Sequence, residues 1–370
     1  MIYYGKQNIN QDDIDAVSDV LKSEFLTQGP KLQEFEDDLK KYCNVKYVRA
    51  VSNATSALHL AYLAIGLGEK DIVWTSPNTF VSTANAALYC GATVDFVDID
   101  PKTFNMSVQL LEKKLIQAKK DNRLPKLVVP VHFSGQSCDM RSIWELSQKY
   151  GFKVIEDASH ALGGEYLNKK VGNCAFSHMS IFSFHPVKMI TTGEGGAITT
   201  NDQDLDYRLS LLRTHGITKD ATKFVNESHG AWYYEQQELG YNYRLTDIQA
   251  ALGISQLKRL DSFVARRKEI ANFYTNNIKN ISLPYQHSDT GSSWHLYVIR
   301  VKDRESTFKN LLKRGIQTQI HYIPVNVQPF YNLETLRNTA NFYEHCLSLP
   351  IYFDLKDEER AKVVDCLNND

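Results

Sequence analysis

The 370-residue chain has no C-x-x-C pair, and its six cysteines, at positions 43, 90, 138, 174, 346 and 366, are scattered. That spacing disfavours both a metal cage and a disulfide framework, leaving reduced thiols as the expectation. No apolar run approaches the roughly 20 residues needed to span a bilayer. The amino terminus, Met1-Ile-Tyr-Tyr-Gly-Lys6, lacks a basic stretch followed by an apolar one, so no signal peptide is read there. Charge of one sign is missing too. With 42 Lys and Arg against 43 Asp and Glu the formal net charge is −1, which gives no global field to gather nucleic acid or an anionic membrane. Internal repeats and low-complexity segments are absent. A soluble cytoplasmic protein without a nucleic-acid or membrane partner is the expectation.

Several chemistries lack their motif. There is no G-x-S-x-G elbow, no Walker loop and no G-x-G-x-x-G. Gly193-Glu-Gly-Gly196 reads as a turn. His132, His185, His215 and His321 show no metal-ligand spacing with acids or cysteines, so no metal is expected.

What the chain does have is apolar residues, 43% with 11% aromatic, enough for packed interiors and against disorder. Its length exceeds the usual limit for one core, so two domains are expected. After helices over 12–23 and 31–42, strand-like and helix-like segments alternate. Strands are read at 47–51, 72–75, 93–97, 126–131, 152–156 and 197–200. Helices are read at 54–65, 80–89, 107–119, 140–150 and 205–213. Such alternation signals an α/β domain with a mostly parallel sheet covered on both faces. An irregular stretch follows over 214–238, then one long helical region, 246–278. Strands near 295–301 and 317–321 point to a smaller α+β unit. The division expected is a large domain, 1–250, and a small one, 251–370.

The chemistry concentrates in Ile181–Gly196, where Lys188 follows an apolar run and a proline. Phe182, Phe184, Val187, Met189 and Ile190 surround it in sequence, poor company for a solvated lysine. A lysine held in apolar surroundings loses its charge readily and forms imines with carbonyls. Asp157 closes another apolar strand, at the carboxyl edge where open α/β sheets bind ligands. An imine-forming lysine and an aspartate for a pyridinium nitrogen are the two groups pyridoxal phosphate needs most. A helix N-cap is the plainer role for Asp157, and Glu156, on the other face of the strand, is the competing acid. Ser52-Asn-Ala-Thr-Ser-Ala57 sits where a strand gives way to a helix, and a helix start binds phosphate through its free N–H groups. Simple capping by Ser52 or Asn53 is the alternative. Ser183 lies within reach of such a phosphate. His160 reads either as a partner of the cofactor's ring hydroxyl, as a support for Asp157, or as a structural histidine. Phe80 reads as a ring-stacking residue or as core.

These residues resemble the DegT/DnrJ/EryC1/StrS sugar aminotransferases, a branch of the fold-type I (aspartate aminotransferase-like) pyridoxal-phosphate enzymes. The matches run over nearly the whole chain: Leu26-Thr-Gln-Gly-Pro30, Ser52-Asn-Ala-Thr-Ser56, Glu156-Asp-Ala-Ser-His160, Ser183-Phe-His-Pro-Val-Lys188, Gly193-Glu-Gly-Gly196, Arg213-Thr-His-Gly216, Gly240-Tyr-Asn-Tyr-Arg244 through Gly253, and His321-Tyr-Ile-Pro324. Val131–Ser137 and His185–Glu194 carry a closer similarity inside the family. The resemblance implies pyridoxal 5'-phosphate as cofactor, imine formation and proton transfer by Lys188, and a pyridinium contact by Asp157. It implies Ala54, Thr55 and Ser183 on the phosphate, Phe80 against the ring, and Asn242 reaching the cofactor of a partner subunit in a homodimer with shared active sites. Tyr4, Glu24, Phe25, Leu26, Thr27, Ile320, His321, Tyr322 and Ile323 would line a nucleotide-sugar site, together with Ala54, Ser183 and Asn242. Dehydratases of this fold carry histidine where Lys188 stands, so the resemblance implies amino transfer from L-glutamate to a UDP-linked 4-keto-6-deoxy sugar. Another ketosugar, such as a 4-keto-pentose, and a non-catalytic cofactor-binding scaffold are the rival readings. Arg213 and Arg244 are both candidates for the donor's carboxylate.

Overall fold

A computed structural model describes residues 1–369. Seven strands form one sheet in the order Tyr47–Val51, Gly196–Thr200, Met179–Ser183, Lys153–Asp157, Leu127–Val129, Ile72–Thr75, Thr93–Phe96. Only Gly196–Thr200 runs against its neighbours; the pairs from Met179–Ser183 to Thr93–Phe96 are all parallel. The expected mostly parallel α/β sheet is therefore present. Its central strands are buried at every position except Lys153, where one of them begins, as strands covered on both faces must be.

Two apolar layers provide that cover. On one face Leu58, Leu60 and Ala61 of α3 (Ala54–Ala64) pack on Val73, Ile155, Ile181 and Ile198. On the other, Leu111 and Leu115 of α5 (Val108–Lys120) and Ile143 of α6 (Met140–Tyr150) meet Val128 and Val154. Burying side chains of this size contributes roughly 1.5–3 kcal/mol each. A separate core joins Ile2 to residues between Ile270 and Leu367. Its pleated element is an antiparallel pair, Tyr297–Arg300 with Cys346–Leu349.

Three expectations are corrected. The helical region 246–278 is two helices, α8 (Asp247–Leu257) and α9 (Leu260–Asn277). They part at Lys258 and Arg259, where the Arg259 guanidinium is drawn to Asn8 and Asp13. The strand expected at 317–321 is not one. It makes a single bridge, Gln319 to Ser348, and then turns toward the sheet's carboxyl edge, while Cys346–Leu349 takes the partner role. Phe80 does not begin a helix, because α4 spans Ser82–Tyr89.

Register sets the site. Val51 and Ser183 both lie opposite Gly196, and Asp157 lies opposite Ile181. The ends of three strands thus open on one edge. Among the described residues no helix is long and apolar enough to cross a membrane, no metal-binding cluster occurs, and all six cysteines are free.

Candidate active site

A cavity of about 1020 Å³ lies at that edge. Lys188 reaches it from the loop that leaves strand Met179–Ser183. Phe184 is fully buried there, and the Lys188 N–H turns back onto the His185 carbonyl at 2.8 Å. Met189 and Ile190 anchor the far side in the core. Lys188 is half-buried, and burial of its amine lowers the pKa from 10.5 to about 8 against the opposing pull of Asp157.

Asp157 is 4% exposed. Its carboxylate accepts the Thr83 hydroxyl at 2.7 Å and the Ser159 N–H at 3.2 Å, which fix its orientation toward the cavity. Glu156, the rival acid, faces away. It accepts from Ser177 and pairs with His132 at 2.7 Å on the opposite side of the strand. Alternation along the strand thus separates a structural acid from a cavity acid.

The start of α3 closes another wall. The Asn53 side chain accepts the Ser56 N–H at 2.8 Å, and the N–H groups of Ala54 and Thr55 have no intrahelical acceptor. A Cβ on Gly196 would lie 2.7 Å from the Ala54 nitrogen, so only glycine lets the neighbouring strand press against this turn. Ser183 faces the same space. Four features fit pyridoxal phosphate: a phosphate-sized helix start with a hydroxyl beside it, a buried carboxylate, an amine with a depressed pKa, and a cavity joining them.

Most of the residues named from sequence meet here. Ala54, Thr55, Phe80, Asp157, Ser183 and Lys188 line the cavity, and so do Tyr4, His160, Ile320, His321 and Tyr322. Phe80 is 58% exposed, a cavity residue and not core. His160 makes no hydrogen bond to Asp157; its Nε2 bonds the Tyr322 hydroxyl at 2.9 Å. Glu24, Phe25, Leu26 and Thr27 sit outside the cavity in an exposed loop. That loop is tied down by Asp247, whose carboxylate accepts the Gly29 and Lys31 N–H groups. Ile323 is half exposed and also outside. Asn242 is exposed and does not line this chain's own cavity.

Of the two arginines considered for the donor carboxylate, Arg213 is consumed. It is buried against Glu36 and the Ala50 carbonyl. Arg244 is only half-buried. Sequence reasoning missed Thr83 and His295. Thr83 stands one helical turn after Thr79, to which it bonds at 2.8 Å, a spacing that was visible. His295 comes from the C-terminal core and has no local signal. His160, His295 and His321 all have their pKa lowered by burial first, that of His321 to about 3, with the Lys188 charge adding to the shift. They are neutral at physiological pH.

The lowered amine pKa carries a kinetic consequence. Only the neutral amine attacks a carbonyl. The rate at which cofactor-free protein takes up pyridoxal phosphate climbs about tenfold per pH unit from pH 6 and levels off near 8. Stopped-flow absorbance across pH 6–10 measures it. A rate still climbing at pH 10 contradicts the lowered value.

Comparison with known proteins agrees with this geometry. Residues 7–368 match the DegT/DnrJ/EryC1/StrS aminotransferase family. The chain is 43% identical to the UDP-4-amino-4,6-dideoxy-N-acetyl-beta-L-altrosamine transaminase of Campylobacter jejuni, covering 99% of this chain and 96% of that one. It is 38% identical to the spore coat polysaccharide biosynthesis protein SpsC of Bacillus subtilis, with 99% and 96% covered. Among solved structures it is similar to Helicobacter pylori PseC, an aminotransferase involved in the biosynthesis of pseudoaminic acid. That match has a TM-score of 0.91 and 33% identity and covers 100% and 98% of the two chains. With Lys188, Asp157 and the start of α3 lining one cavity, the chain belongs to the DegT/DnrJ/EryC1/StrS aminotransferase family and is a pyridoxal-phosphate-dependent aminotransferase.

Proposed function

We propose that the protein moves an amino group from L-glutamate to C4 of a UDP-linked 4-keto-6-deoxy-N-acetyl-hexosamine, a step of pseudaminic acid biosynthesis. The 43% identity to the altrosamine transaminase over 99% of the chain supports the sugar. The convergence of Lys188, Asp157 and the start of α3 on one cavity supports the chemistry, and is the observation that carries it.

When bound, pyridoxal phosphate supplies the electron sink and carries the amino group between the two substrates. The chain's own residues do the rest. Ala54, Thr55 and Ser183 would hold the cofactor's phosphate, and Asp157 would supply a negative charge to its ring nitrogen. Lys188 anchors the cofactor through its amine. With the cofactor bound, the same Nζ would take a proton from the donor's α-carbon as a base and give a proton back as an acid. A pKa near 8 suits that dual use, since base and acid forms are both populated at neutral pH. The net exchange is balanced: glutamate leaves as 2-oxoglutarate, and the sugar's C4 carbonyl becomes an amine-bearing carbon.

The working form is a cytoplasmic homodimer in which Asn242 of each chain serves the cofactor phosphate of the other. Its exposure, away from its own cavity, supports that reading. A division into a large domain, 1–250, and a small one, 251–370, is supported by the separate core between Ile270 and Leu367, with Ile2 crossing into that core and Ile254, Leu257, Leu260 and Phe263 packing in the large one. A mixture of inactive Lys188→Ala and Asn242→Ala chains regains up to about a quarter of parental activity on subunit exchange if the sites are shared, because one site of each hybrid is intact. No recovery in mixed dimers contradicts sharing. A panel of UDP-ketosugars with glutamate tests the substrate. The highest kcat/KM on the 6-deoxy-hexosamine supports the reading, and a preference for a 4-keto-pentose overturns it.

A further inference from the structure

The segment Val131–Ser137, distinctive in sequence, contributes no side chain to the chemistry described above. Its backbone does something else. Ser134 has a left-handed φ of 63° and is clasped by the C-terminal core: its hydroxyl donates to the Leu296 carbonyl at 2.6 Å. Gly135 presses so closely on the same segment that a Cβ there would sit 2.4 Å from the Ser293 hydroxyl. In this clasped turn the Ser134 N–H points at His160 Nδ1, 3.3 Å away.

A backbone N–H can only donate, so Nδ1 of His160 is bare. His160 is 5% exposed and neutral, so its single proton is on Nε2. That proton faces the Tyr322 hydroxyl at 2.9 Å. The Tyr322 oxygen therefore accepts, and its own hydrogen must be directed elsewhere. Tyr322 lines the cavity that holds Lys188 and Asp157, and among the described residues no second acceptor takes its proton. Burial and the Asp157 charge push its pKa up, so the phenol stays protonated.

We propose that Tyr322 is a one-way hydrogen-bond donor aimed into the active site, its direction set by the chain from the Ser134 N–H through His160 to the phenol oxygen. Its acceptor is an oxygen with negative or carbonyl character on a bound molecule, either the cofactor's ring oxygen or an oxygen of the sugar. Tyr322 is the residue in contact; His160 is a positioning residue. The proposal deepens the aminotransferase reading and rests on it for the identity of the bound molecules.

The test uses the holoenzyme and the variants Tyr322→Phe, His160→Phe, His160→Gln and the Tyr322→Phe/His160→Phe pair. For each, the affinity for pyridoxal phosphate is measured, and the glutamate and ketosugar half-reactions are followed separately. Loss of one hydrogen bond to a charged acceptor gives a reduction of about ten- to a hundredfold in Tyr322→Phe. A loss in cofactor affinity and in both half-reactions assigns the acceptor to the cofactor. A loss confined to the ketosugar half-reaction assigns it to the sugar. His160→Phe reproduces the loss, the double variant adds nothing to it, and His160→Gln, whose amide still donates to Tyr322, recovers most of it. Tyr322→Phe within about twofold of the parent in every measurement, or additive losses in the double variant, overturns the proposal. Cofactor affinity and the glutamate half-reaction need no sugar. A failure of the sugar assignment alone therefore leaves a loss in those two intact.

Discussion

Replacing Lys188 by Ala lowers turnover by about 10⁴-fold or more and removes the visible absorbance that the lysine-linked cofactor gives. In the proposed mechanism the amine is both anchor and proton carrier, so its loss removes two contributions at once. His59, His160, His185, His295 and His321 also line the cavity, and burial is the largest cause that lowers the pKa of each, which makes them weaker bases. Lys188→Arg fails as well, because a guanidinium stays protonated far above neutral pH and cannot attack a carbonyl. Phe184, Met189 and Ile190 hold the loop without help from the amine. Both variants should therefore melt within a few degrees of the parent, which separates lost chemistry from lost fold. Turnover near the parental rate in Lys188→Ala rules out its role.

Asp157→Asn costs about 10²–10³-fold in kcat, the usual size of a lost charge aimed at a reacting system in a dry site. The substitution is close to isosteric. An asparagine oxygen still accepts from Thr83 or Ser159, so what disappears is the negative charge and not the packing. Without that charge the ring nitrogen of the cofactor loses its proton and the ring becomes a poorer electron sink. Single-turnover kinetics with glutamate measure the effect, with the bound cofactor's content as a control. A variant that keeps kcat within a few fold shows that the ring nitrogen finds its charge elsewhere.

How much of this was legible in the sequence depends on distance along the chain. Asp157 and Ser183 end continuous apolar strand runs and Lys188 follows in the loop after Ser183, so those runs mark the site locally. Glu156 was separated from Asp157 by alternation alone, and the pairing of Glu156 with His132 agrees with that separation. What stayed hidden arrives from far away. His295 and the clasp of Ser134 by Leu296 depend on contacts between residues more than a hundred positions apart. The extended run 317–321 has the residues of a strand, and its departure toward the cavity follows from where Ser348 and Ile2 lie, which no local pattern encodes. The break between α8 and α9 carries neither proline nor glycine. Asn8 and Asp13 hold Arg259 there, so tertiary contacts override a continuous helical pattern. Glu24–Thr27 were placed at the sugar site by resemblance, yet within one chain they lie in an exposed loop pinned by Asp247.

The most direct test of the account is the mass of the product formed by the purified protein with pyridoxal phosphate, nitrogen-isotope-labelled L-glutamate and UDP-linked 4-keto-6-deoxy-N-acetyl-hexosamine. The account predicts a UDP-amino sugar carrying the labelled nitrogen at C4, formed in step with 2-oxoglutarate and absent with Lys188→Ala. Unchanged ketosugar beside an enzyme that converts glutamate would contradict the proposed acceptor, and no reaction with glutamate or any other amino donor would contradict the aminotransferase itself.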